Sequence, residues 1–450
     1  MRAPAVSRRE RRAAGRAARE RAPRGRLADG ASGDRDALAI ITAQNAARVA
    51  DLVPIRMARM AASPWTYYRG AAAVMAADLA SVPHTDLQVQ LCGDAHVLNF
   101  GLWATPERQL SFDLRDFDET LRGPFEWDVK RYLASLVVLA RDNGLPERIG
   151  LDAVRAASRV YREQIASYAT AAELTIWYDV ITSDQLLTLF RPEERERVSA
   201  RLTKRAQRRT SEGAARKLTE VVDGHLRIVE DPPVRVHLSE VVRGKDPAEL
   251  AVRTLQAYHD SLPYERRYLL DRFTLVDVVR QIVGVGSVGM QVFLALFEGR
   301  NGTDPLFLQV KQAGASVYEQ FLGPSPLPSH GERVISGKRV IQAASDIFLG
   351  WTSVAGAEFY VRQFRDMKII PDSARIAPYL VPFARLCARV LARAHARTGD
   401  ALAIASYVGK GRRFDEAMCA FAVGYADQTV RDHRQLVAAV ESGEVAAQPG

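Results

Sequence analysis

Two groups of residues in this chain have the types and spacing that phosphate chemistry requires. Asp94 opens an Asp-x-x-x-x-Asn spacing with Asn99, and Asp113, Asp116 and Asp118 follow closely. Phosphoryl transfer needs one carboxylate to orient the attacking hydroxyl, with an amide oxygen and a second carboxylate holding magnesium against ATP oxygens. Asp94 is therefore the candidate catalytic base, and Asn99, Asp116, Asp118 and Asp113 are the candidate metal ligands. Far downstream, Gly284-Val285-Gly286-Ser287-Val288-Gly289 lies between apolar stretches, and Lys311 follows it. Gly284, Gly286, Ser287 and Gly289 suit a loop that covers ATP phosphates, and Lys311 supplies a charge to neutralise them. Such a lysine needs a glutamate to hold it. Glu319 and Glu332 are the candidates, with Glu332 favoured because it opens the longer helix.

Each signal has a plainer reading. The aspartates could cap helices and pair with Arg115 and Arg122, and Lys311 could be an exposed edge-strand lysine. A Gly-x-Gly-x-x-Gly run also occurs in dinucleotide sites, but there the third glycine opens a helix, whereas strand-like residues 290–297 follow Gly289. A hairpin loop fits this context better. Gly-Asp-x-His at 93–96 also begins phosphatase metal sites, yet the further Asn-His pair and His ligands of that class are not visible. Val285 stands where a Gly-x-Ser-x-Gly nucleophile elbow around Ser287 would need glycine. His96 and His395 read as hydrogen-bonding residues rather than metal ligands.

The elements that must position these residues follow from the apolar spacing. Residues 36–62 and 67–79 carry helical periodicity with Ser63-Pro64 between them, and 87–91 alternates as a short strand ended by Gly93. A second strand is expected at 109–112, ahead of the acidic cluster. Residues 126–143 are apolar almost all round, which predicts a helix buried on most sides. The stretch 150–263 reads as mostly helix, with a basic run at 204–217 as a solvated face. From Thr274 the texture turns to strand: 290–297 and 306–310 flank an Asn301-Gly302 hairpin signal, and 358–364 is another strand. Helices are expected at 332–346 and 377–396.

At 450 residues, 47% of them hydrophobic, the chain exceeds the size at which one core stops growing. No stretch reaches the roughly 18 apolar residues of a membrane span; Tyr132 to Ala140 is bracketed by Arg131 and Arg141. The net charge of +9 is concentrated at the start, where residues 1–30 hold ten Arg against Glu10, Glu20 and Asp29. Contact with nucleic acid is expected, if anywhere, only through that tail. Cys92, Cys387 and Cys419 lack paired metal-ligand spacing, so a reducing cytoplasm is the expected compartment.

Several motifs carry a resemblance. Tyr68-Arg69-Gly70, Gly93-Asp94-Ala95-His96 to Asn99-Phe100-Gly101, Asp116-Phe117-Asp118-Glu119, Gly123 to Asp128, Gln309-Val310-Lys311, Gly331 to Val334, Asp346 to Gly350 and Ala394 to Arg397 resemble the bacterial family called domain of unknown function 2252. More distantly, the chain is similar to the protein-kinase-like fold of aminoglycoside and choline phosphotransferases. That resemblance implies Asp94 as catalytic aspartate, Asn99 and Asp116 on magnesium, and Asp128 steadying the catalytic loop from a buried helix. Cys92 departs from the His or Tyr usual there, and Asp118 from the glycine of the protein-kinase magnesium motif, which points to the small-molecule branch. In those kinases the glycine loop and lysine come first, and here they come last.

The expected fold is α+β, a circularly permuted, protein-kinase-like two-lobed arrangement with a large helical lobe and a small β-rich one. Its expected parts are a disordered basic tail (1–35), a helical lobe with the catalytic and metal loops (36–265), a β-rich nucleotide-binding lobe (266–370) and C-terminal helices packing on the helical lobe (371–450). The expected activity is an ATP- and Mg2+-dependent phosphotransferase acting on a small molecule. The alternatives are a catalytically inactive nucleotide-binding regulator or a metal-dependent phosphoesterase.

Overall fold

The computed structural model of the chain describes residues 6–30, 35–237, 247–282, 288–300, 304–354 and 356–448. It is an α+β fold in which one buried helix organises the loops that carry Asp94 and Asp116. Every residue of the Phe125–Asp142 helix from Phe125 to Ala140 is buried, as its all-round apolar character predicts. Leu133, Leu136 and Leu139 each contribute about 1.5–3 kcal/mol by leaving water. The charged members of this helix are buried with partners: Glu126 accepts from the amide and hydroxyl of Thr85, and Lys130 lies 4.4 Å from the centre of the Phe421 ring. The Leu380–Thr398 helix packs along the Glu147–Tyr168 helix, and the long Arg413–Glu441 helix crosses Phe125–Asp142.

Short strands set the loops at the start of that helix. β1 (Gln88–Leu91) pairs antiparallel with β4 (Leu121–Pro124), and β2 (Phe100–Ala104) pairs with β3 (Leu110–Leu114). The first pairing brings Gly93 against Glu119: Gly93 has φ +86°, and a Cβ there would lie 2.2 Å from the Glu119 carbonyl oxygen. The second returns the chain from Asn99 to Asp116.

A six-stranded antiparallel sheet has the order β11-β12-β10-β9-β8-β7, from β7 (Arg235–His237), β8 (Phe273–Gln281), β9 (Val292–Gly299), β10 (Pro305–Ala313), β11 (Gly350–Val354) and β12 (Ala357–Gln363). Opposed residues share a face, so the Gln309↔Arg362 and Lys311↔Tyr360 pairs point one way. Leu308, Val310, Phe359 and Val361 point the other, into a core shared with Tyr258 and Leu262.

Two expectations need correction. The basic leader is not a disordered tail over its described residues: Arg8–Arg21 is a helix capped by Ser7 and docked on the Ala401–Val408 helix. Arg19 and Arg24 donate to the carbonyls of Tyr407 and Val408 at that helix's C-terminal end, where cations are favoured. The stretch 150–263 is mostly helix, as expected, with a β5–β6 hairpin (Thr219–Val222 with His225–Ile228) and β7 added to it. Because β7 joins β8, the strand-rich part begins before residue 266. The Asn301-Gly302 turn lies outside the described residues. Among the described residues no helix is long and apolar enough to cross a membrane.

Candidate active site

Asp128, near the start of the buried helix, accepts hydrogen bonds from the amides of Cys92 (2.7 Å) and Gly93 (3.0 Å), so the loop after β1 hangs from one carboxylate. His395 sits 3.5 Å behind it and pairs through Nδ1 with the Tyr161 hydroxyl at 2.7 Å. Asp94 follows, its Oδ1 held at 2.9 Å by Nε of fully buried Arg131 and its Oδ2 3.7 Å from Nε2 of His96. Burial raises the Asp94 pKa above the usual aspartate value, and Arg131 opposes the shift.

Asn99 is placed as a staple rather than as a free metal ligand. Its Nδ2 donates to the carbonyls of Asp94 (2.8 Å) and Asp116 (3.0 Å), and its Oδ1 accepts from the Asp116 amide at 2.8 Å. The carboxamide joins the two acidic loops and is almost fully buried.

Asp116 and Asp118 reach a cavity of about 410 Å³, and Lys311 reaches it from the sheet. Lys311 Nζ lies 4.0 Å from Asp116 Oδ1 and forms an ion pair with Asp118 Oδ2, while Tyr360 donates to Asp118 Oδ1 at 2.6 Å. Burial opposes ionisation of Asp116, yet Lys311, Arg362, Arg115 and Lys368 together hold it well below the usual carboxylate range. Burial lowers and the two aspartates raise the Lys311 pKa, with a net rise above the ordinary lysine value. Oδ1 of Asp116 is buried without a hydrogen-bond partner among the described residues.

Neither expected glutamate holds Lys311. Glu319 faces Arg333 (3.4 Å) and His330 (3.7 Å), and Glu332 sits in the first turn of the His330–Ile341 helix, its amide bonded to Ser329 Oγ. Asp118 takes the role from across the cavity. Asp113 is likewise not at the cavity: it is fully buried against Arg393 and accepts the Ala343 amide at 2.9 Å. β3 carries residue 113 into the packing against Arg393 of the Leu380–Thr398 helix before the chain reaches Asp116, which spacing alone did not reveal.

Of the glycine segment, Gly284, Gly286 and Ser287 lie outside the described residues. Gly289 closes the segment with φ +88°, and its carbonyl accepts the Val49 amide at 2.8 Å, so the segment's end is anchored beside Arg48, which lines the cavity.

Sequence reasoning missed the cationic wall. Arg69, Arg115, Arg209, Arg362, Arg365 and Lys368 line the cavity with Lys311 and Arg48, against four carboxylates. The fourth carboxylate is Glu119, which burial pushes up to about 7 although the Val317 amide donates to it at 2.8 Å. The polar alternation Gln309-Val310-Lys311 signalled one side of this wall, as did Arg69 within Tyr68-Arg69-Gly70. Arg362 and Lys368 had no local signal, because only sheet pairing and the 364–370 crossing segment, tied to β2 through Ile369 and Leu102 (2.7 Å), bring them in.

The arrangement offers a raised-pKa carboxylate, two carboxylates beside a lysine and an excess of cations around one cavity, which suits the binding and transfer of phosphate groups. No curated protein and no solved structure matches the chain. The family described as "uncharacterized protein conserved in bacteria" (DUF2252) matches residues 48–439, most of the sequence, and the chain belongs to that family.

Proposed function

We propose that the protein is an ATP- and magnesium-dependent phosphotransferase of the protein-kinase-like type, its two lobes joined in permuted order, acting on a small molecule. The observation that carries this reading is the meeting of Lys311 with Asp116 and Asp118. A lysine on the third strand after a glycine-rich hairpin, facing a carboxylate loop, is the pairing a kinase uses on ATP phosphates and metal. Here β8, β9 and β10 are those strands, with residues 283–289 between the first two.

The residues suit the cofactors in kind. Magnesium takes hard oxygen ligands and is held by one or two carboxylates together with phosphate oxygens rather than by an all-protein cage. Asp116 offers a buried oxygen without a hydrogen-bond partner, and among the described residues no group of three or more His, Cys, Asp or Glu could hold a metal alone. Asp116 and Asp118 would hold the ion, which when bound neutralises phosphate charge. Lys311 would exchange part of its contact with Asp118 for a phosphate. Asp94, raised in pKa and fixed through one oxygen by Arg131, keeps the other for an acceptor hydroxyl. Asn99 and Asp128 position the two loops.

A thermal-shift series with ATP or ADP and Mg2+ or Mn2+ tests the reading. A ligand at about 100 times its Kd adds roughly 2.7 kcal/mol, and that gain should vanish in Asp116→Ala and Lys311→Ala. No nucleotide-dependent shift in the parent protein would sink it. A second reading, a nucleotide-binding regulator without catalysis, is favoured by the engagement of both ends of the Asn99 carboxamide with backbone. Metal-dependent ATP binding with no phosphate release for any acceptor would select it.

A further inference from the structure

A recess of about 40 Å³ adjoins the main cavity and shares Arg115, Arg362 and Lys368 with it. Lys338, from the His330–Ile341 helix, completes a set of four cations around it. None of the four makes an ion pair among the described residues. Arg362 is propped on Gln309 Oε1 through Nε (3.0 Å) and a terminal nitrogen (2.8 Å). Arg115 has one long contact, 3.4 Å to the Leu98 carbonyl, and its Nε is buried without a partner.

Two carboxylates, Asp346 and Asp366, line the recess with these four, which leaves an excess of cations. Asp346 accepts the amides of Phe348 and Gln363, and Asp366 is paired with Arg108. Asp116 serves the main cavity. Burial, followed by the neighbouring cations, brings Lys338 down to about 8 and pushes Lys368 well below the ordinary lysine value. Gathering like charges in a half-buried site is unfavourable unless an anion joins them. A triphosphate with its magnesium ions is largely neutralised by them, so it does not account for this second group of cations.

We infer that Arg115, Lys338, Arg362 and Lys368 form an anion subsite for the acceptor, so that the small molecule carries a phosphate or carboxylate group of its own. The recess has room for a few heavy atoms and not for a nucleoside. Assigning the anion to an acceptor rests on the phosphotransferase reading; the anion site itself does not.

Calorimetric titration of inorganic phosphate into the full-length protein, without nucleotide or metal and near neutral pH, provides the test. Saturable binding is expected. Lys338→Ala and Lys368→Ala should each weaken it roughly ten-fold, the loss of about one charge-assisted hydrogen bond. Both variants relieve repulsion, so their melting temperatures should match or exceed the parent's. Absence of phosphate binding, or binding unchanged in both variants, overturns the subsite. In the presence of magnesium and a non-hydrolysable ATP analogue, retained phosphate binding supports an acceptor site, and competition assigns the recess to the nucleotide and overturns it. Lysine-dependent phosphate binding by a protein that binds no nucleotide would keep the subsite and remove the phosphotransferase reading.

Discussion

Asn99 grips Asp116 from both sides of one residue, its Oδ1 accepting the Asp116 amide and its Nδ2 donating to the Asp116 carbonyl. A single carboxamide thereby fixes the backbone whose side chain faces Lys311. Asn99→Ala leaves the buried Asp116 amide without its partner and takes one donor from the Asp116 carbonyl, while the Asp94 carbonyl keeps the His96 amide; a buried group left unsatisfied costs about 1–3 kcal/mol. The variant should melt lower, and any magnesium-dependent nucleotide shift should weaken with it. Asn99→Asp should be worse, since it sets a carboxylate against two carbonyl oxygens. Thermal denaturation of the three proteins with and without nucleotide checks the order.

Asp113 and Arg393 make a different prediction from the one their spacing suggests. Both are fully buried, so removing one partner strands a charge in the core. Arg393→Met or Asp113→Ala should cost about 3–5 kcal/mol of stability, read from denaturant unfolding. Metal affinity should be untouched in whatever fraction stays folded. A selective loss of metal binding with normal stability would return Asp113 to the metal site.

Gly93 occupies a left-handed backbone position pressed against the Glu119 carbonyl, with Asp128 holding its amide. Gly93→Ala must shift that backbone, and the loop carrying Asp94 moves with it. The expected result is a loss exceeding about 2 kcal/mol with a fall in soluble yield. A crystal structure of Gly93→Ala showing the loop undisturbed would contradict it.

Glu119 carries a pH signature. Its pKa in the folded protein is about 7, raised chiefly by burial, against an ordinary value near 4.5. A raised carboxyl pKa means that its stabilising contribution is complete below about pH 4.5 and is lost as pH climbs through about 7. Glu119→Gln removes the titration while keeping an acceptor for the Val317 amide. The variant should match the parent in acid and exceed it above neutrality, by up to about 3 kcal/mol. Melting curves across pH 4–9 measure the gap, and parallel profiles would refute it.

Local chemistry was legible where a residue's neighbours in sequence are also its neighbours in space. Asp94, Asn99 and Asp116 belong to one β1-to-β4 excursion, and Lys311 directly follows the expected strand at 306–310. The buried helix at 125–142 was legible for the same reason, because apolar residues on every side leave no solvent face. Charge composition misled at the N-terminus, where Arg8–Arg21 was expected to be disordered: the helix buries a narrow face of small residues, Gly15 and Ala18, against the Ala401–Val408 helix, and Arg19 finds a carbonyl at the end of that helix almost 400 residues away.

What the sequence determined by itself is the inventory: carboxylates on tight loops, a glycine segment, a lysine on a strand and an α+β pattern of elements. Which carboxylate meets Lys311, which aspartate is buried against Arg393 and how Arg115, Lys338, Arg362 and Lys368 come to share one recess were decided only by tertiary structure. Those outcomes depend on strand register and on chain crossings between segments far apart, and pairings of that kind leave no trace in residue types or local spacing.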